Sequence, residues 1–219
     1  MHFEILVEGQ SELTALSILM GKILCEYGNP HTWKIHKHRG IGRIPDYPEA
    51  KPNKNDPTLL HNLPSKLRAY GSEGRDDVVV VVLLDLDDRP NCASFKKELT
   101  DLLNFCPQKP KTLFRIAIEE LEAWFFGDQQ AIKQAYPDAK QQVLDSYIQD
   151  SQCGTWEKFA EAIYPGGLAA LEQHGRRSGR YLEQKLIWAK EISPRLDVEG
   201  NQSPSFQCFR DGIRKIAAR

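Results

Sequence analysis

Residues Val78 to Leu84 are seven consecutive apolar side chains, five of them β-branched, with no polar position among them. An unalternating run of that length predicts a strand buried on both faces, the usual condition at the centre of a parallel sheet covered by helices. His2–Val7, Thr32–His38 and Lys111–Ile118 are shorter strand candidates. Apolar positions at helical spacing follow each of the first three strands: Leu13, Leu16, Met20, Ile23 and Tyr27; then Leu60, Leu63, Leu67 and Tyr70; then Phe95, Leu99, Leu102 and Leu103. Ser11 is placed to cap the first of these helices and Gly9 to turn the chain into it. Residues 45–57 hold four prolines and read as an irregular connection. Strands alternating with helices predict an α/β fold with a mainly parallel sheet.

From Asp128 onward no further strand pattern appears. Helical periodicity recurs near 128–136, 139–149, 155–163, 180–192 and 204–217, the last marked by Ser203 as N-cap and Pro204 at the first helical position. The reading is an α/β domain over residues 1–127 and a helical C-terminal region over 128–219, packed upon it.

Polarity changes abruptly where strands end. The central run passes within one residue into Asp85-Leu86-Asp87-Asp88, His2–Val7 into Glu8-Gly9-Gln10-Ser11-Glu12, and Lys111–Ile118 into Glu119-Glu120-Leu121-Glu122. If strand geometry persists, its period of two puts Asp85 and Asp87 on one face. If a helix begins near Glu119, then Glu119 and Glu122 share a face and Glu120 points elsewhere. Parallel strands deliver these acids to one sheet edge, where open α/β folds bind ligands. Neighbouring carboxylates repel unless a proton or cation lies between them. Oxygen ligands without His or Cys suit Mg²⁺ or Mn²⁺ rather than Zn²⁺. The plainer reading makes Asp87, Asp88 and Asn91 a turn and helix cap, and Glu12 a favourable charge at a helix N-terminus.

Composition narrows the classes. Of 219 residues, 41% are hydrophobic and 27% charged, and the net charge of −1 gives no bulk attraction to nucleic acid or anionic lipid. Five scattered cysteines form no C-x-x-C pair, which favours a reduced, cytoplasmic setting over a disulfide framework. The acidic start Met-His-Phe-Glu does not read as a signal peptide, and no apolar run reaches membrane-spanning length. Cations cluster locally instead. Lys37, Arg39 and Arg43 flank two glycines after the second strand, and Arg176, Arg177 and Arg180 lie in a second glycine-flanked segment. Such loops contact phosphates or are simply solvated.

Val7-Glu8-Gly9-x-x-Glu12 followed by a buried strand ending Asp85-x-Asp87 resembles the Toprim fold of topoisomerases, primases and OLD-type nucleases, a Rossmann-like architecture. More closely, the chain is similar to a bacterial Toprim-like family of unknown function, through Ile118-Glu119-Glu120-Leu121-Glu122-Ala123-Trp124-Phe125-Phe126-Gly127-Asp128 and Asn201-Gln202-Ser203-Pro204-Ser205-Phe206 with Phe209. The resemblance spans the chain. It implies a metal site built from Glu8, Asp85 and Asp87, with Glu12 at a second position; Glu122, from glutamates that have no equally secure Toprim counterpart, is the alternative ligand there. No tyrosine motif of a topoisomerase and no zinc-binding primase module accompanies it. It therefore implies a metal-dependent nuclease acting on DNA or RNA, the effector of an ATPase-coupled bacterial defence system. Because the sequence has no G-x-x-x-x-G-K-[ST] loop, the ATPase would be a separate partner. Lys37, Arg39, Arg43 and Lys185 are alternative cations for the developing phosphate charge.

Two other readings stand beside it. A non-catalytic Toprim-like subunit would bind nucleic acid or a partner with the same residues. A metal–nucleotide transferase would use Asp85-x-Asp87 but leave Glu8 and Glu12 unexplained. A haloacid-dehalogenase-like phosphatase fits less well, since Asp88-Arg89 follows Asp87 and the strand is not the first.

Overall fold

The structure is a computed structural model, and it describes all residues except 88, 90, 151–153, 174–178 and 219. Four parallel strands, β1 (His2–Val7), β2 (Thr32–Lys37), β3 (Val78–Asp85) and β4 (Thr112–Ala117), form one sheet in the order β2-β1-β3-β4. Helix α1 (Gln10–Leu24) connects β1 to β2, α2 (Leu59–Glu73) connects β2 to β3, and α3 (Cys92–Asp101) with a 3₁₀ turn (Leu102–Phe105) connects β3 to β4. Among the described residues seven further helices follow: α4 (Glu122–Phe126), α5 (Gln129–Ala135), α6 (Gln141–Asp145), α7 (Thr155–Ile163), α8 (Gly167–Glu172), α9 (Arg180–Ile192) and α10 (Pro204–Ala217). The expected helix over 139–149 is shorter, and α8 carried no sequence signal.

Every residue of β3 is buried, and its two faces serve different cores. Val80, Val82 and Leu84 pack with Leu59, Leu63 and Leu67 of α2 and Phe95 and Leu99 of α3. Val79, Val81 and Leu83 pack with Leu16 and Leu19 of α1 and with the aromatic residues of the C-terminal helices. Alternation is missing from the sequence because neither face meets water.

The C-terminal helices join the second core and are also tied to α1 by polar bonds. Lys22 Nζ donates to the carbonyls of Pro194 (2.7 Å) and Leu196 (2.6 Å), and Arg214 Nε to that of Ile23 (3.1 Å). The two stretches 118–128 and 201–209 meet here. Trp124 is fully buried against Phe206 and Phe209, its Nε1 donates to Ser205 Oγ (3.1 Å), and Asn201 Nδ2 donates to its carbonyl (2.8 Å). A Cβ on Gly127 would lie 2.1 Å from Asn201 Oδ1, so close approach requires glycine there. Ser203 caps α10 by accepting from Phe206 N, with Pro204 in the first turn, as the sequence indicates. By contrast α1 starts at Gln10 after Gly9, and Ser11 is not its cap.

Candidate functional site

All four strands are parallel, so the segments following them gather at one edge of the sheet. Glu8 leaves β1 and turns its carboxylate toward β3, where Oε1 accepts the backbone N–H of Asp85 at 2.8 Å. Asp85, the last residue of β3, is buried. Glu12 sits in the first turn of α1, also buried, with Ser11 Oγ donating to its Oε1 at 2.9 Å. Gly9 has extended backbone, so the sharp turn expected of it does not explain the residue. Proximity does: a Cβ there would lie 2.9 Å from Glu12 Oε2.

After β4 the chain reverses at Glu119, whose φ is 61°. Glu119 thereby points away from the edge and binds the start of α7, accepting from Gly154 N (2.7 Å), Thr155 N (2.9 Å) and Thr155 Oγ1. Glu120 and Glu122 face the other way. The helix begins at Glu122, not Glu119, so the expected pairing of Glu119 with Glu122 and exclusion of Glu120 is reversed. Both carboxylates flank the ammonium of Lys185 from α9, at 3.2 Å from Glu120 Oε1 and 3.2 Å from Glu122 Oε2.

Five acids, Glu8, Glu12, Asp85, Glu120 and Glu122, thus gather at this edge with one buried lysine. Burial pushes the Glu8 carboxyl up to about 8, and the charges of Asp87 and Glu12 add to the rise against the Asp85 N–H and Arg89. Burial raises Asp85 well above the carboxylate range, reinforced by Glu8 and Glu12. Glu120 is raised to about 8 and Glu122 is raised, both by burial and against the pull of Lys185. Lys185 is itself raised, since Glu122, Glu120, Asp85 and Glu12 outweigh the cost of burying it. Glu12 Oε2, Glu120 Oε2 and Glu122 Oε1 are buried without a hydrogen-bond donor, and Glu122 Oε2 meets the Lys185 ammonium. Among the described residues, no three His, Cys, Asp or Glu side chains stand close enough together to hold an ion without moving.

Asp87 departs from the sequence expectation. The strand ends at Asp85, and Asp87 has φ 47°, so the two side chains do not continue one face. Asp87 N donates to the Glu119 carbonyl (3.1 Å), and its carboxylate sits at the rim, 3.5 Å from Arg89 Nη1. Arg89 lies over the Phe95 ring at 4.3 Å. Asn91 caps α3, accepting from Ala93 N and Ser94 N.

A family model described as a domain of unknown function, DUF4276, matches residues 7–214. The chain belongs to that family. Comparison with curated proteins gives no match. Two solved structures of the C-terminal region of the Xanthomonas campestris pv. campestris OLD protein are similar to it. The one phased with iodine is 14% identical with a TM-score of 0.39, covering 99% of this chain and 98% of that one. The one phased with mercury is 13% identical with a TM-score of 0.38, covering 98% and 97%.

In this DUF4276 chain the loop after β2 borders the pocket. Gly40 N donates to the Glu8 carbonyl (3.0 Å) and His38 N to that of Val7 (3.0 Å), which places exposed Arg39 at the same edge, with exposed Arg43 further along the loop. Lys37 is exposed and bonded to Gln10 Oε1. Lys185, grouped with these cations in the sequence, is instead internal. Arg180 is exposed at the start of α9, while Arg176 and Arg177, like Asp88, lie outside the described residues. A separate groove of about 500 Å³ follows the outer edge of β4 between α3 and α10 and is lined by none of the five acids. No described helix is long and apolar enough to cross a membrane.

Glu120 is the site residue that sequence reasoning missed. The usable signal was Glu120-x-Glu122 directly after a strand, a second pair of alternating acids like Asp85-x-Asp87.

Proposed function

We propose that the chain is a metal-dependent nuclease of Toprim type, hydrolysing phosphodiester bonds of DNA or RNA. The observation that carries this reading is the cluster's excess of acid: five carboxylates, one ammonium, and three buried carboxylate oxygens lacking a donor. An all-oxygen set with that charge fits Mg²⁺ or Mn²⁺ in kind. Glu8, Asp85 and Asp87 would hold one ion, and Glu12 and Glu122, with Glu120 beside them, a second. Such ions, when bound, activate water and neutralise charge on the phosphoryl group. The chain's own part is to exclude water around Asp85 and Glu122 and to present Lys37, Arg39 and Arg43 to the backbone phosphates. An ATPase on a separate chain remains part of this proposal.

Purified protein, incubated with single- and double-stranded DNA and RNA plus Mn²⁺ or Mg²⁺, should cleave at least one of them. Asp85→Asn should lower the rate by about 100-fold or more, the scale of removing one group that stabilises transition-state charge. Ion-dependent cleavage that is equal in Asp85→Asn would refute the assignment. That no three ligands converge among the described residues favours one second reading, a subunit that binds nucleic acid without cutting it. Under either reading the double substitution Arg39→Ala with Arg43→Ala should weaken binding alike across sequences. The slope of log affinity against log salt should fall by roughly 1 to 2 units for two lost phosphate contacts. An unchanged slope in a filter-binding titration would make the loop ordinary surface.

A further inference from the structure

Lys185 lies midway along α9, one turn before the fully buried Trp188 and Ala189 on the side that packs against the core. A lysine buried there is costly unless its charge is answered. It is answered unevenly. An ammonium offers three N–H donors, and it stands 3.2 Å from one oxygen each of Glu120 and Glu122, with the charges of Asp85 and Glu12 also acting on it. Glu122 Oε1 and Glu120 Oε2 still lack a hydrogen-bond donor. One ammonium thus answers one oxygen of each neighbour and leaves the other oxygen of each unanswered. Six or more oxygens around one cation is the habit of a divalent ion.

Resting on the reading that this pocket takes divalent ions, we propose that Lys185 is a tethered stand-in for the ion at Glu120 and Glu122, and that an ion binding there expels its ammonium. The two are exclusive at that position because they would use the same oxygens, Glu120 Oε1 and Glu122 Oε2. An ion between Glu8 and Asp85 does not use those oxygens and leaves Lys185 in place. The lysine thus separates a first, freely filled position from a second, guarded one. It also makes α9 the element that registers whether the second is filled. Glu120 is the most exposed member of the trio, so the ammonium leaves past it.

Amine acylation read by mass spectrometry tests this on the intact wild-type chain, with exposed Lys190 of the same helix as internal control. Without ions, Lys185 should be modified at least about tenfold more slowly than Lys190. Saturating Mn²⁺ should bring its rate toward that of Lys190. In calorimetric titration, Lys185→Met should bind its second Mn²⁺ about tenfold more tightly than wild type, while Lys185→Arg, which keeps the charge, should not. Should Lys185→Met fail to fold, the wild-type labelling decides alone. Mn²⁺ binding with Lys185 still protected would overturn the proposal while leaving the metal reading intact, as would equal second-site affinity in Lys185→Met. If the wild-type chain binds no Mn²⁺ at all, the metal reading itself falls, and the guard with it.

Discussion

Raising the pH of the ion-free protein from 6.5 to 8 should lower its melting temperature, and Glu8→Gln should remove part of that fall. Glu8 and Glu120 ionise near 4.5 when unfolded but near about 8 when folded, because burial and neighbouring carboxylates disfavour their charged forms. Between those values the folded state keeps protons that the unfolded state has released. The stabilisation is complete below 4.5 and is lost as pH rises through about 8. Each group contributes a slope of at most about 1.4 kcal/mol per pH unit, so the pair costs a few kcal/mol across the window. Below 6.5 the effect is partly masked. His31 and His38 are held below the usual histidine value by burial, and each adds stability as pH climbs toward 6.5. Lys185, raised by its acidic neighbours, stays charged throughout and changes stability only in the alkaline range. For a chain of this size 1 kcal/mol moves the transition by about 2–4 °C, so calorimetry in chelator from pH 5 to 8.5 resolves the curve. A profile that is flat above 6.5, identical in Glu8→Gln, would mean that the pocket holds no such protons. On the proposed reading, Mg²⁺ should stabilise more at pH 8 than at pH 6, because protons and ions would compete for the same oxygens.

Glu119→Ala should destabilise the protein by about 2–4 kcal/mol. Its side chain accepts from two backbone N–H groups and a hydroxyl at the start of α7, so truncation orphans three donors, two of them at a helix N-terminus. Glu119 also holds the reversal that turns Glu120 and Glu122 toward Lys185, so the proposed nucleic-acid cleavage should fall with stability. Glu119→Gln keeps acceptor capacity and should recover part of the stability. Glu119→Gly relieves the positive φ but not the lost bonds, and should resemble alanine. Urea denaturation of the three variants separates these terms, and a loss below about 0.5 kcal/mol in Glu119→Ala would show that water replaces the carboxylate without penalty.

Much of this protein was determined locally. An unbroken Val78–Leu84 run is stable only as a strand covered on both faces, and β3 is such a strand, with alternate side chains feeding two cores. Glu8 and Asp85 were legible for the same reason: a carboxylate directly after a buried parallel strand must emerge at the carboxyl edge, whatever the order of the strands. The sequence of Ser203 and Pro204 likewise marked the start of α10 because a cap is made from residues three apart. The remainder was settled by single torsions and by distant partners. A φ of 61° at Glu119 exchanges the directions of Glu119 and Glu120, and a φ of 47° carries Asp87 from the buried face to the rim. Neither is visible in side-chain periodicity, which presumes regular backbone. Lys185 stands 63 residues after Glu122 and 173 after Glu12. Within its own helix it reads as one more surface cation, and only the packing of α9 against α1 turns it into the counter-charge of the acids. A buried ion pair depends on what the fold brings around it, and that information belongs to the tertiary structure.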